Sequence, residues 1–109
     1  MAKDRNRFAQ LVDLHDALDE LLDGHRDGWW DARRVAALAV LLEAAGEQLV
    51  AGQVMAAAAL HASKLTDQLI ARLLAPLDAP VQAALVWLAE TGEADLVAQV
   101  AAILDHART

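Results

Sequence analysis

The chain has no cysteine and no tyrosine, a single phenylalanine and only two prolines among its 109 residues. Without cysteine it forms neither disulfides nor thiolate metal sites, and a reducing compartment suits it. Its hydroxyls are few, namely Ser63, Thr66, Thr91 and Thr109, and none sits in a nucleophile elbow. No glycine pattern that cradles phosphate occurs. Four histidines are present, yet no Glu-x-x-His or His-x-x-x-His pair, so the helical di-iron and zinc signatures are missing. Positive charge is also scarce: nine Lys and Arg stand against sixteen Asp and Glu, a formal net charge of −7. That balance removes the basic patch on which binding to nucleic acid or to an anionic membrane surface rests. The N-terminal MAKDRNRF has no apolar stretch behind its basic residues, so it does not read as a secretory signal. The longest charge-free apolar run, Val35 to Leu42, is too short to span a bilayer. The sequence therefore predicts a cytoplasmic protein with no transmembrane segment, no cofactor and no enzymatic activity.

What the chain does have is apolar residues, 57% of the total, dominated by Ala and Leu. Both are strong helix formers, whereas the β-branched and aromatic residues that favour strands are sparse. The expectation is an all-α, single-domain helical bundle of four to five helices over residues 1–109. Periodicity and punctuation place the helices at about 4–23, 30–51, 53–75, 79–91 and 94–107. The first carries Phe8, Leu11, Leu14, Leu18, Leu21 and Leu22 on one face and Asp13, Asp16, Asp19, Glu20 and Asp23 on the other. Gly24 is the candidate left-handed residue that ends it. The second carries Val35, Leu38, Ala39, Leu42, Ala45 and Leu49 inward. It ends at Gly46 or at Gly52, and Gly52 is preferred because matched helix lengths close a bundle better. The stretch Val54 to Leu77 has no evident interior break and reads as the helix around which the rest is organised. Pro76 stops it, and Asp78, Ala79 and Pro80 start the next helix.

Two segments echo each other. Leu42-Glu43-Ala44-Ala45-Gly46-Glu47 is followed by Leu49-Val50-Ala51 and Gln53-Val54. Leu88-Ala89-Glu90-Thr91-Gly92-Glu93 is followed by Leu96-Val97-Ala98-Gln99-Val100. A true repeat would move the turn between helices 2 and 3 to Gly46. The second segment, from Ala84 to Leu96, also resembles the ForC-like accessory subunits of bacterial formate dehydrogenases. These share a leucine-rich helix, a Glu-x-Gly turn and a second helix with early leucine and acid. Val54 to Leu74, with Lys64-Leu65-Thr66-Asp67 inside it, is similar to their later helices, whereas Glu93-Ala94 departs from the apolar pair usual after the glycine. The resemblance implies a non-catalytic subunit that docks on a redox partner, and it carries over no site residue.

Three features are candidates for function. The carboxylates of the first helix repel one another at spacings of three and four. They form a solvated face, a cation site or a docking face for a basic partner. His15 and His61 fall on or beside apolar stripes, where they can contact a hydrophobic, haem or metal ligand held between helices, or simply pack at the core edge. Val35 to Leu42, Val54 to Leu60 and the pair Trp29 and Trp30 make up an apolar surplus that marks an interface, with Trp29, Trp30, Val54, Met55 and Ala58 as its candidate contacts. One tryptophan is expected to pack over the end between helices 1 and 2 while the other meets a partner. The functional expectation is a non-catalytic interaction module, either a homo-oligomer or an accessory subunit of a larger, redox-type complex. The alternative is a bundle that binds a small ligand.

Overall fold

The computed structural model describes residues 2–26, 30–60 and 65–108 of the chain. Among these residues the fold is all-α. The helices are α1 (Ala2–Arg26), α2 (Ala32–Ala44), α3 (Gln48–Leu60), α4 (Asp67–Leu74), α5 (Asp78–Glu90) and α6 (Ala94–Arg108), with a 3-10 turn at Ala75–Leu77 joining α4 to α5. The all-α bundle expected from composition is what the chain forms, with its helices cut differently.

The central helix is α2, not the stretch from Val54 to Leu77. Asp31 caps it by accepting a hydrogen bond from the Arg34 N–H at 3.1 Å, satisfying one of the donors that a helix start leaves over. Val35, Ala37, Leu38, Ala39, Leu41 and Leu42 are all buried, so α2 is covered on several sides. Its main neighbours are α1 and α3, and α5 also touches it. The buried face of α1 is Leu14, Ala17, Leu18 and Leu21, with Leu11 and Leu22 at the margin, as the helical spacing predicts. Phe8 lies outside the described side chains.

Gly24 does not end α1, which continues to Arg26. Its role is steric. A Cβ built on Gly24 would lie 1.7 Å from Arg34 Cδ, so the missing side chain is the notch through which the Arg34 stem crosses. Arg34 is 7% exposed, and its Nη1 donates to Asp31 Oδ2 at 2.8 Å.

Helix 2 ends at Gly46, not at Gly52. Gly46 has φ +92°, and its N–H donates to the Glu43 carbonyl while the Glu47 N–H donates to that of Leu42. This pair of bonds is the glycine-dependent closure of a helix C-terminus. Gly52 is an interior residue of α3, and its conformation is helical. Because the chain turns at Gly46, the apolar phase of α2 does not carry on. Leu49, expected on the same inward stripe as Leu42, is instead 80% exposed.

Helix 3 of the expectation, at 53–75, is two helices. Thr66 starts α4 by accepting a hydrogen bond from the Leu69 N–H at 3.2 Å. Leu65, just before it, is buried and accepts a backbone hydrogen bond from the Trp30 N–H at 3.1 Å. The competing signal in the sequence was Thr66-Asp67, a cap followed by an acid in the first turn. Within the run from Asp67 to Glu90 an 18-residue stretch has a mean hydropathy of 1.5, so by length and composition alone this run, unlike the charge-free run from Val35 to Leu42, meets the requirement for crossing a membrane. Its buried positions, Ile70, Leu74, Val81, Ala84 and Leu88, belong to the core shared with the other helices.

The echo between the two segments is structural. Gly92 has the same φ of +92° as Gly46, 46 residues earlier, and the Gly92 and Glu93 N–H groups repeat the same two bonds to Ala89 and Leu88. At this offset α2 corresponds to α5, each with 13 residues, and α3 corresponds to α6. Buried positions correspond too: Val35 with Val81, Leu42 with Leu88, Val54 with Val100, and Ala58 with Leu104. A two-helix unit of this length falls in the size range of helical repeats. Between the halves, α1 meets α6, α2 meets α5 and α3 meets α4. Within the halves the packing differs, since α1 lies mainly on α2 whereas α4 lies mainly on α6.

Candidate interaction surface

Helix α3 buries only Ala51, Val54 and Ala58, a stripe at spacings of three and four. The opposite face carries Leu49, Gly52, Gln53, Ala56, Ala59 and Leu60, all exposed, with Met55 at its edge. Leu49 and Leu60 are 80% and 84% exposed, far more than leucines that a fold needs for itself. No charged residue occurs anywhere from Gln48 to Leu60. Beside this face runs an open groove of about 340 Å³ at the α2–α3 seam, lined by Ala39, Glu43, Gln48, Ala51, Gly52 and Met55.

The repeat supplies an internal control for this chemistry. On α6 the positions corresponding to Leu49, Ala59 and Leu60 are Asp95, Asp105 and His106, and they are exposed in the same way. The architecture therefore accepts polar residues at these places, and packing does not require apolar ones there.

This placement corrects the expected interface residues. Val54 and Ala58 are core residues, 2% and 7% exposed, because the Gly46 turn sets their phase toward α2. Met55 reaches the surface, at 41% exposure. Trp30 is also buried, at 5% exposure. Its indole Nε1 donates to Asp67 Oδ1 at 2.7 Å, and its backbone bridges to Leu65. It ties the start of α2 to the start of α4, not the ends of helices 1 and 2. Trp29 lies outside the described residues. Leu49, assigned to the inward stripe of helix 2, is exposed because the turn falls at Gly46, and Leu60 lies at the exposed end of the apolar stretch Val54 to Leu60.

His15 has a side chain 52% exposed, with its Nε2 3.0 Å from Glu93 Oε1, so it links α1 to the α5–α6 turn at the surface. His61 lies outside the described residues. A second contact of this kind joins His106 Nε2 to Asp67 Oδ2 at 3.1 Å, which makes Asp67 the shared acceptor for Trp30 and His106. A carboxylate that orients an imidazole is half of an acid–base arrangement. The nearest described hydroxyl in sequence, that of Thr66, is already engaged with the Leu69 N–H. The two histidine contacts tie the middle of α1 to the α5–α6 turn and the end of α6 to the start of α4.

The acidic face of α1 lines an open groove of about 700 Å³ with Asp16, Asp19, Glu20, Leu22 and Asp23. No group of three or more potential metal ligands is gathered among the described residues. The Asp31 carboxyl titrates away from its ordinary value. Partial burial pushes it up, but the hydrogen bond from the Arg34 N–H and the charges of Arg34 and Arg33 outweigh that and hold it below its ordinary value.

No protein-family model, no curated protein and no solved structure matches this chain.

Proposed function

We propose that this chain is a non-catalytic helical interaction module whose binding surface is the outward face of α3. The observation that carries the reading is the contrast between corresponding positions of the repeat: Leu49, Ala59 and Leu60 on α3 against Asp95, Asp105 and His106 on α6. Two leucines held out in water, on a helix without charge, cost solubility and add nothing to the core. A contiguous apolar face of this kind is what a protein partner covers. An accessory subunit in a larger complex would use the same face. The ligand-binding alternative has less support, since His15 engages Glu93 at the surface.

The test compares a photoreactive amino acid at Ala56 with the same group at Ala102, the corresponding exposed position of α6. In the native host, a protein adduct at Ala56 and none at Ala102 is the expected result. Equal labelling at both positions, or none at Ala56, would refute the assignment.

A further inference from the structure

We propose that the occupant of the α3 face is a second copy of this chain, packed antiparallel about a two-fold axis crossing the helix between Val54 and Met55. This rests on the assignment of that face as the binding surface and adds the identity of the partner.

Charge selects the partner. At a net charge of −7, two copies repel wherever their charged helices meet. Among the described helices only α3 has no charged side chain. Its counterparts carry Arg33, Arg34 and Glu43 on α2, Asp67 and Arg72 on α4, Asp78 and Glu90 on α5, and Asp95 and Asp105 on α6. Two α3 faces can therefore meet without burying an ion or opposing like charges. A basic partner would instead be drawn to the α1 carboxylates Asp13, Asp16, Asp19 and Asp23, away from the exposed leucines.

Shape agrees with charge. Nothing lies within 4 Å of a Cβ built on Gly52. Gly52 and Ala56, one turn apart, leave the middle of the face low enough for close helix approach. The leucines rise at its two ends, about 16 Å apart along the axis at 1.5 Å per residue. Antiparallel pairing sets Leu49 against the partner's Leu60 and Gln53 against the partner's Ala56. It also opposes the two helix dipoles. Parallel pairing would align the dipoles and bring Glu47 next to the partner's Glu47. A single seam along a helix of 13 residues is small beside standard interfaces, so the dimer dissociates on dilution.

The full-length chain tests this in two ways. In sedimentation equilibrium between about 5 and 500 µM, a range that brackets a weak interface, the mass should rise from 11.7 kDa toward twice that value. Leu49→Glu and Leu60→Glu should each weaken association by at least about 10-fold while leaving helicity unchanged. Because the chain has no cysteine, orientation can be read by oxidising an equimolar mixture of Leu49→Cys and Leu60→Cys. The mixed disulfide should dominate. Dominant like-with-like disulfides, or a wild-type protein that stays monomeric throughout, would overturn the homodimer. If the monomer still gives an Ala56 adduct with another protein, the binding face stands and only its occupant is wrong. A monomer with no adduct refutes both.

Discussion

Replacing Trp30 probes the joint on which the two halves of the fold depend. Its ring is buried, its indole N–H reaches the Asp67 carboxylate at 2.7 Å and its backbone N–H reaches the Leu65 carbonyl. Trp30→Ala removes a large buried side chain and should cost roughly 3–5 kcal/mol, the range of aromatic truncations in cores. Trp30→Phe keeps most of the apolar volume and deletes the indole donor. A hydrogen bond to a charged group contributes about 1.5–3 kcal/mol when sheltered. The Asp67 side chain is 29% exposed, so water replaces part of that and a loss of about 1–2 kcal/mol is expected. The assay is urea unfolding followed by far-ultraviolet circular dichroism, which does not depend on the other tryptophans. A double-mutant cycle with Asp67→Asn isolates the bond, and its coupling energy should be about 1 kcal/mol. Loss of less than about 1 kcal/mol in Trp30→Ala would refute the reasoning, because it would place the ring outside the core.

Five other substitutions, four at glycines and one at Asp31, have effects whose sign depends on backbone conformation or on pH. Gly52→Ala should stabilise the monomer by about 0.5–1 kcal/mol, since the position is helical and open. Gly46→Ala and Gly92→Ala should each destabilise by about 1–2 kcal/mol because φ is +92° at both, and Gly24→Ala should also destabilise by displacing the Arg34 stem. Thermal or urea midpoints of the four variants check these signs together. Asp31→Ala should cost about 1 kcal/mol through the lost cap. The folded state holds the Asp31 carboxyl below its ordinary 3.8. The stability it contributes is therefore present above that value and lost as pH falls through the lower, folded one. The difference in unfolding midpoint between wild type and Asp31→Ala should be full at pH 7 and shrink below about pH 4.

Helical content, the α1 core face and the starts of α5 and α6 were legible because Ala, Leu and the Asp-x-Pro and Gly-Glu signals act locally. The break before α4 was harder to read. Val54 to Leu77 is apolar at nearly every helical phase, so periodicity marks no boundary, and only the Thr66-Asp67 cap betrays it. The choice between Gly46 and Gly52 fell to a preference for equal helix lengths. The echo with Gly92 pointed the other way and was the better guide, since a positive φ at corresponding positions demands glycine in both. That single turn decides the candidate surface. Moving it from Gly52 to Gly46 carries Leu49 from the core to water and turns Val54 and Ala58 inward. The contacts of Asp67 with Trp30 and His106, and of Glu93 with His15, join residues distant in sequence and have no local signature. Nor does the Arg34 stem over Gly24.

The most direct test of the α3 assignment places the photoreactive group at Ala56 in a chain that also carries Leu49→Glu and Leu60→Glu. Both leucines are exposed, so the folding midpoint should stay within about 0.5 kcal/mol of wild type. The account predicts that the Ala56 adduct disappears while the fold is retained. An adduct that forms as efficiently as before would contradict it.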